Sequence, residues 1–220
     1  MTKIKAVMFD LDGTLTDSFR DLADGVNHVL VARGKPKKSV EEVRRYVGHG
    51  LKATLEQSLG EDDHGINGAV EMFRRYYWDH CVDNTVLYPG VVGCLDELDG
   101  YKKGLVTNKR RPYAEKIIDT LGIREYFDGV FGGDDFPALK PNPAALLFAC
   151  ERIGVEVAET VMVGDGLPDI DCAVAAGAIS CAVTYGIGTV KELKSAGAKY
   201  LLDSLEELPA VIEKILKNQC

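Results

Sequence analysis

The chain has 220 residues, enough for one domain, or one domain with a sizeable insertion, and enough to bury a core without disulfide or metal staples. Hydrophobic residues make up 46% and charged residues 27%, a globular balance that excludes a disordered chain. With 26 Lys+Arg against 34 Asp+Glu the formal charge is −8, so no overall field draws in nucleic acid or an anionic membrane, and any anionic substrate must be held by a local cation or a metal.

No apolar run approaches the ~20 residues of a membrane span. The opening MTKIKAVMFDLDGT is broken by Asp10 and Asp12 and has no signal-peptide pattern, so a cytoplasmic protein is expected. The six cysteines, Cys81, Cys94, Cys150, Cys172, Cys181 and Cys220, form no C-x-x-C pair. They read as reduced thiols, several of them small core residues.

Ile4–Phe9 (IKAVMF) is the first strand and ends on Asp10. Helical patterns then follow one another without a strand between them. Ser18 caps a helix carrying Leu22, Val26, Val29 and Leu30, and Ser39 with Glu42 forms a capping box for the next. His49–Leu59 and Ile66–Val82 make two more. A block spanning residues 16–86 is far longer than a connection of ~4–6 residues, so it reads as an inserted helical cap domain. Tyr88-Pro89-Gly90 returns the chain to strands alternating with helices. Gly104–Thr107 is a strand followed by a helix from Pro112 to Leu121. Gly129–Phe131 is a short strand, and Pro141–Ile153 is a helix. Thr160–Val163 is a strand ending at Gly164-Asp165, and Ala173–Ala176 closes a helix on Gly177, a natural C′ residue. Ile179–Val183 and Tyr200–Leu202 are strands, and Leu205–Leu216 is an amphipathic helix. The alternation predicts an α/β fold, a doubly wound parallel sheet formed by residues 1–15 and 87–220, with the α-helical cap at 16–86.

Ligands of such sheets bind at the carboxyl ends of the strands. Those ends carry Asp10 and Asp12, Thr107 and Asn108, and Asp165, while Lys140 precedes a helix. Two acids directly after an apolar strand call for compensation, and a divalent cation such as magnesium supplies it through hard oxygen ligands. Other features read as ordinary structure. Lys109-Arg110-Arg111 follows the Thr107 strand and reads either as a solvated loop or as a source of positive potential at the mouth, and Tyr76, Tyr77 and Trp78 are cap packing. Gly48-His49-Gly50-Leu51-Lys52-Ala53 fits a dinucleotide pattern formally but follows a helix instead of a strand. Gly186-Ile187-Gly188-Thr189 is a loop near the site.

FDLDGTLTDS, VTNK, LKPNPAAL and VGDGLPDI resemble, in order, the four signature motifs of the haloacid-dehalogenase-like superfamily of phosphohydrolases. The resemblance runs from about residue 4 to residue 205. Within the insertion, YVGHGLKATLEQSLG is similar to the cap loop of the phosphoglycolate phosphatase subgroup. The resemblance implies Asp10 as nucleophile and Asp12 as general acid and base. It implies magnesium on Asp10, the Asp12 backbone carbonyl and Asp165, with Asp169 supporting the metal. Lys140 would pair with Asp10 and a phosphoryl oxygen, and Thr107 with the Asn108 backbone N–H would bind another. Gly13 and Thr14, of the DxDGT form, are expected at the substrate, and so are His49, Gly50 and Lys52 of the cap. The second acid, Asp12, favours phosphoryl transfer over carbon–halogen cleavage, because a halide needs no proton. The implied activity is a magnesium-dependent phosphatase acting on a small phosphorylated metabolite, 2-phosphoglycolate first. Inorganic pyrophosphatase, nucleotidase, sugar-phosphate phosphatase and sugar phosphomutase are the alternatives on the same core. A monomer is expected, with a homodimer as the alternative, and neither nucleic acid nor membrane as a partner.

Overall fold

The computed structural model describes residues 4–60 and 65–217. Strand β1 (Ala6–Phe9) leads into a short β2 (Thr16–Asp17) and four helices, α1 (Phe19–Ala32), α2 (Val40–Arg44), α3 (Leu51–Leu59) and α4 (Ile66–His80). After β3 (Val86–Leu87) and α5 (Val91–Glu97) the chain runs through β4 (Lys102–Val106), α6 (Arg111–Thr120), β5 (Gly129–Phe131) and α7 (Ala144–Ile153). It finishes with β6 (Thr160–Gly164), α8 (Leu167–Ala176), β7 (Ile179–Val183), α9 (Val190–Ser195), β8 (Tyr200–Leu202) and α10 (Leu208–Lys217).

Six strands form one parallel sheet in the order β5-β4-β1-β6-β7-β8. Their side chains alternate between two buried layers, as strand geometry requires. Val7, Phe9, Leu105, Val161 and Val163 enter one core, while Ala6, Met8, Val106 and Met162 enter the other with α7 and α8. Burial on both faces explains the nearly continuous apolar runs. The winding reverses at β1, which lies between β4 and β6. That reversal opens a crevice at the carboxyl ends of these three strands.

The insertion leaves and re-enters the sheet through an antiparallel ribbon in which Thr16 faces Leu87 and Asp17 faces Val86. Asp21, buried in the first turn of α1, pins the return. Its carboxylate accepts hydrogen bonds from Asn84 N, Asn84 Nδ2, Thr85 N and Thr85 Oγ1 at 2.7–3.0 Å. The helices pack through Val26, Val29, Leu30, Leu55, Phe73 and Tyr77.

Several predicted details hold. Both bonds of the Ser39–Glu42 capping box are present, and Gly177 closes α8 at φ 82°. Others differ. Ser18 stands at the N-cap of α1, but its hydroxyl donates to Asp12 and no side chain caps the helix. The His49 helix begins at Leu51, because Gly50 at φ 90° breaks the turn before it. The helix predicted to reach Val82 ends at His80. The helix predicted from Pro141 begins at Ala144. The last helix opens as a 3-10 turn, Leu205–Glu207, capped by Ser204. The ribbon, α5 and α9 are too short to leave a periodic signal. The five described cysteines are buried and unpaired, and Cys220 lies outside the described residues. Among the described residues no helix is long and apolar enough to cross a membrane.

Candidate active site

The backbone N–H of Asp10 donates to Val163 O, and that of Thr107 donates to Phe131 O. Both residues therefore extend the sheet's ladder by one step and leave it together at the crevice. Asp165 follows β6, and Lys140 sits immediately ahead of the turn into α7. The Lys140 ammonium lies 2.8 Å from Asp10 Oδ1, 2.6 Å from Asp169 Oδ1 and 2.6 Å from Val106 O. Asp10, Asp165 and Asp169 are buried, and each offers an oxygen within 4.8 Å of the others.

Local backbone geometry fixes each acid. Asp169 Oδ2 accepts Gly166 N at the start of α8. Asp165 Oδ1 accepts the Thr14 hydroxyl at 2.9 Å, and Oδ2 accepts Ile187 N at 2.8 Å. Gly13, at φ 90°, lies so close behind Asp165 that a Cβ there would sit 2.2 Å from Oδ2. Only glycine serves this turn.

Three carboxylates face one ammonium. Burial pushes the Asp10 carboxyl up to about 7, the Lys140 charge offsets part of that rise, and Asp169 adds to it. Burial, then repulsion from Asp169 and Asp10, raises Asp165 as well. Burial alone would weaken the Lys140 ammonium, but Asp10 and Asp169 outweigh it and hold its pKa above the ordinary lysine value. A cluster short of positive charge, built of hard oxygen donors, matches what a divalent cation requires.

Asp12 lies beside this cluster. Its Oδ1 accepts the Ser18 hydroxyl and the Lys109 ammonium, the latter at 2.8 Å. Lys109 also donates to the Tyr77 hydroxyl of α4 at 2.7 Å. Of the two readings of this run, Lys109 follows the one that brings positive charge to the mouth, with its side chain only 7% exposed. Arg110 and Arg111 follow the solvated-loop reading, pairing with Asp134 and Glu115 near the surface.

A cavity of about 780 Å³ separates this cluster from the cap. Asp10, Asp12, Thr107, Asn108, Lys140, Asp165 and Asp169 line its floor, and His49, Gly50 and Lys52 line its cap side. Lys52 also pairs with Glu56 at 3.7 Å on the exposed face of α3. Gly13 and Thr14, expected at the substrate, are not on the cavity wall. They are buried behind Asp165 and hold it. The Asn108 side chain is committed elsewhere. It donates to Gly48 O in the cap and to Lys140 O, and it accepts from Lys140 N, which leaves its backbone as the part it can offer a ligand. The sequence reading missed this clamp, and it missed the Ser18, Lys109 and Tyr77 contacts to Asp12. The only trace of them in the sequence is the lysine of VTNK itself.

Residues 7–183 match the family model described as "Haloacid dehalogenase-like hydrolase", and the chain belongs to that family. It is 38% identical over 220 residues to a phosphoglycolate phosphatase of Vibrio parahaemolyticus, covering 95% of this chain and 96% of that one. It is 36% identical over 214 residues to phosphoglycolate phosphatase 1 of Pseudomonas aeruginosa, covering 93% and 78%. Among solved structures it is similar to a predicted phosphoglycolate phosphatase from Haemophilus somnus, with a TM-score of 0.87, 28% identity, and 96% and 99% of the two chains covered. A predicted phosphatase from Clostridium acetobutylicum gives the same TM-score of 0.87 and 28% identity, over 98% and 99%.

Proposed function

We propose that this chain, a phosphoric monoester hydrolase by its family and relatives, cleaves a small phosphorylated metabolite, 2-phosphoglycolate first, with magnesium and through a phosphorylated Asp10. The observation that carries the reading is the convergence of Asp10, Thr107, Lys140 and Asp165 where the sheet's winding reverses. The relatives named for phosphoglycolate support that choice of substrate.

Asp10 and Asp165, with the Asp12 backbone carbonyl, would hold the magnesium ion, and Asp169, tied to Lys140 and Gly166 N, would support it. When bound, it neutralises phosphate charge so that a carboxylate can approach an anionic phosphorus. The remaining chemistry belongs to the chain. Lys140 holds Oδ1 of Asp10, which would leave the other oxygen for the substrate. That oxygen attacks phosphorus, the P–O ester bond breaks, and Asp12 gives its proton to the departing alkoxide. Water then attacks the phosphorylated Asp10 and passes a proton to Asp12, which releases phosphate and restores the free carboxylate. Thr107 Oγ1 accepts from Lys109 N at 3.2 Å, so its own proton is free to point at a phosphoryl oxygen. The cap closes over the site and keeps bulk water from the acyl phosphate. Gly13 and Thr14 support Asp165, and His49, Gly50 and Lys52 face the leaving group.

One observation favours a second reading. A cavity of about 780 Å³ is in the range that encloses ligands much larger than a two-carbon acid, which suits a sugar phosphate or nucleotide. A panel of 2-phosphoglycolate, hexose phosphates, nucleoside monophosphates and pyrophosphate, with magnesium and with EDTA, separates the two. Magnesium-dependent phosphate release fastest from 2-phosphoglycolate is expected. A faster larger ester replaces the substrate, and no release from any ester sinks the proposal. Isomerisation without free phosphate would mark a mutase.

A further inference from the structure

Lys109 is the one residue of the Lys109-Arg110-Arg111 run that turns inward, and the hydrolytic scheme gives it no task. Its ammonium bridges two side chains from distant parts of the chain, Asp12 Oδ1 at 2.8 Å and Tyr77 Oη at 2.7 Å, and lies 4.8 Å from the centre of the Tyr77 ring. Tyr77 belongs to α4 of the cap. It is 1% exposed and is wedged against Phe73 and Tyr113. Burying a lysine to make one ion pair is a poor way to gain stability, since desolvation consumes most of the Coulomb attraction. The contact therefore calls for another explanation.

Three other cap–core contacts end on backbone atoms: Arg44 donates to the backbone oxygens of Tyr185 and Gly186, Tyr113 donates to Arg74 O, and Asn108 donates to Gly48 O. The Tyr77–Lys109 contact continues into the carboxylate that takes and gives the proton. We propose that Lys109 is a positioning residue that sets the Asp12 carboxylate, and that Tyr77 makes this setting depend on a docked cap. This rests on the phosphatase reading in which Asp12 is the acid and base. With Tyr77 in place the ammonium is held on two sides, and Asp12 Oδ1 is held by it and by Ser18. When the cap lifts, Tyr77 leaves with α4, and Lys109 loses the partner that fixes it against Asp12. Docking of the cap and orientation of the proton donor thus become one event, and an open site lacks a correctly aimed acid.

The test uses leaving groups. An alkyl phosphate needs its departing oxygen protonated, whereas p-nitrophenolate leaves without a proton. kcat/KM is measured with saturating magnesium on p-nitrophenyl phosphate and on 2-phosphoglycolate, or on the fastest alkyl ester of the panel if that differs. The enzymes are the native one, Asp12→Asn, Lys109→Met, Lys109→Arg, Tyr77→Phe and the double variant Lys109→Met/Asp12→Asn. Asp12→Asn should lower the alkyl-to-aryl ratio about 100-fold or more, the usual scale of general acid catalysis. Lys109→Met should lower it about tenfold, Tyr77→Phe by less in the same direction, and Lys109→Arg should recover part of the loss. In the double variant Lys109→Met should add nothing to Asp12→Asn, because it acts through that residue.

Equal loss on both esters in Lys109→Met, or full additivity in the double variant, overturns the positioning role. An unchanged ratio in Tyr77→Phe overturns the link to the cap. That variant removes one oxygen and keeps the buried ring, so it carries the test even if Lys109→Met fails to fold. An unchanged ratio in Asp12→Asn is a different failure. It removes the acid–base assignment beneath the proposal, and the proposal goes with it.

Discussion

The three-carboxylate cluster predicts that metal-free and magnesium-bound protein respond to pH in opposite directions. Burial raises the Asp10 carboxyl from an ordinary 3.8 to about 7. The folded metal-free protein therefore binds more protons than the unfolded chain between those values. Stability falls wherever the folded state holds the extra proton and pH rises. The cost is fully present above pH about 7 and is relieved as pH drops toward 3.8. Between pH 7 and 5 the relief amounts to about 2 kcal/mol, which raises Tm by about 4–8 °C in a chain of this size. Glu42 and Asp134 are held below their ordinary carboxyl values, so what they contribute is lost only at pH values more acidic than this window. With magnesium saturating, the same proton must be displaced before the ion binds. Affinity then drops about tenfold for each pH unit below about 7, and the stabilisation that the ion adds shrinks with it. Thermal melts from pH 5 to 8 in EDTA and in magnesium, with calorimetric titration of magnesium at each pH, make the comparison. Parallel slopes, or a magnesium affinity that does not change with pH, would refute the reasoning.

Asp10→Asn removes the nucleophile and should cut turnover by about 10⁵-fold or more. It also removes one of three crowded acids, so the metal-free variant should melt higher than the native protein in EDTA at pH 8; a lower melt would mean the cluster is not repulsive. Gly13→Ala places a Cβ 2.2 Å from Asp165 Oδ2 at a backbone φ of 90°. It should weaken magnesium binding at least tenfold while circular dichroism shows the fold intact, and unchanged binding by titration would detach Gly13 from the metal acid. Asp21→Ala strips the Asn84 and Thr85 donors of their shared acceptor. A loss of about 3 kcal/mol in urea unfolding is expected, or about 6–12 °C in Tm, and a loss within error of zero would show that the pin adds nothing.

The sheet was legible because its strands are buried on both faces, and such burial writes itself as unbroken runs like AVMF and TVMVG. The Ser39–Glu42 capping box was legible because its members are three residues apart and satisfy each other, whereas the Ser18 hydroxyl goes to Asp12 instead of capping α1. The acids of the cluster were legible as strand ends. Thr14 shows where this kind of reading stops. Its place in DxDGT suggests contact with substrate, but the left-handed turn at Gly13 carries it behind the site. There its hydroxyl meets Asp165, 151 positions away.

Lys109 was illegible for a reason that concerns topology. Its partners are 97 and 32 positions distant, and a lysine followed by two arginines looks solvated until those partners are placed. Strand order supplies the missing step. β1 and β4 are neighbours, with Met8 opposite Gly104 and Phe9 opposite Leu105. The segments that continue them, Asp10–Asp12 and Thr107–Lys109, therefore leave the sheet side by side. Three residues past each strand's last residue, Phe9 and Val106, stand an acid and a lysine, and the Lys109 ammonium reaches Asp12 Oδ1 at 2.8 Å. With a cap helix above excluding water, a buried ammonium at that point must find a carboxylate or lose its charge. Asp12 is the acid within reach, so the fold that assembles the nucleophile also delivers a cation to the proton donor.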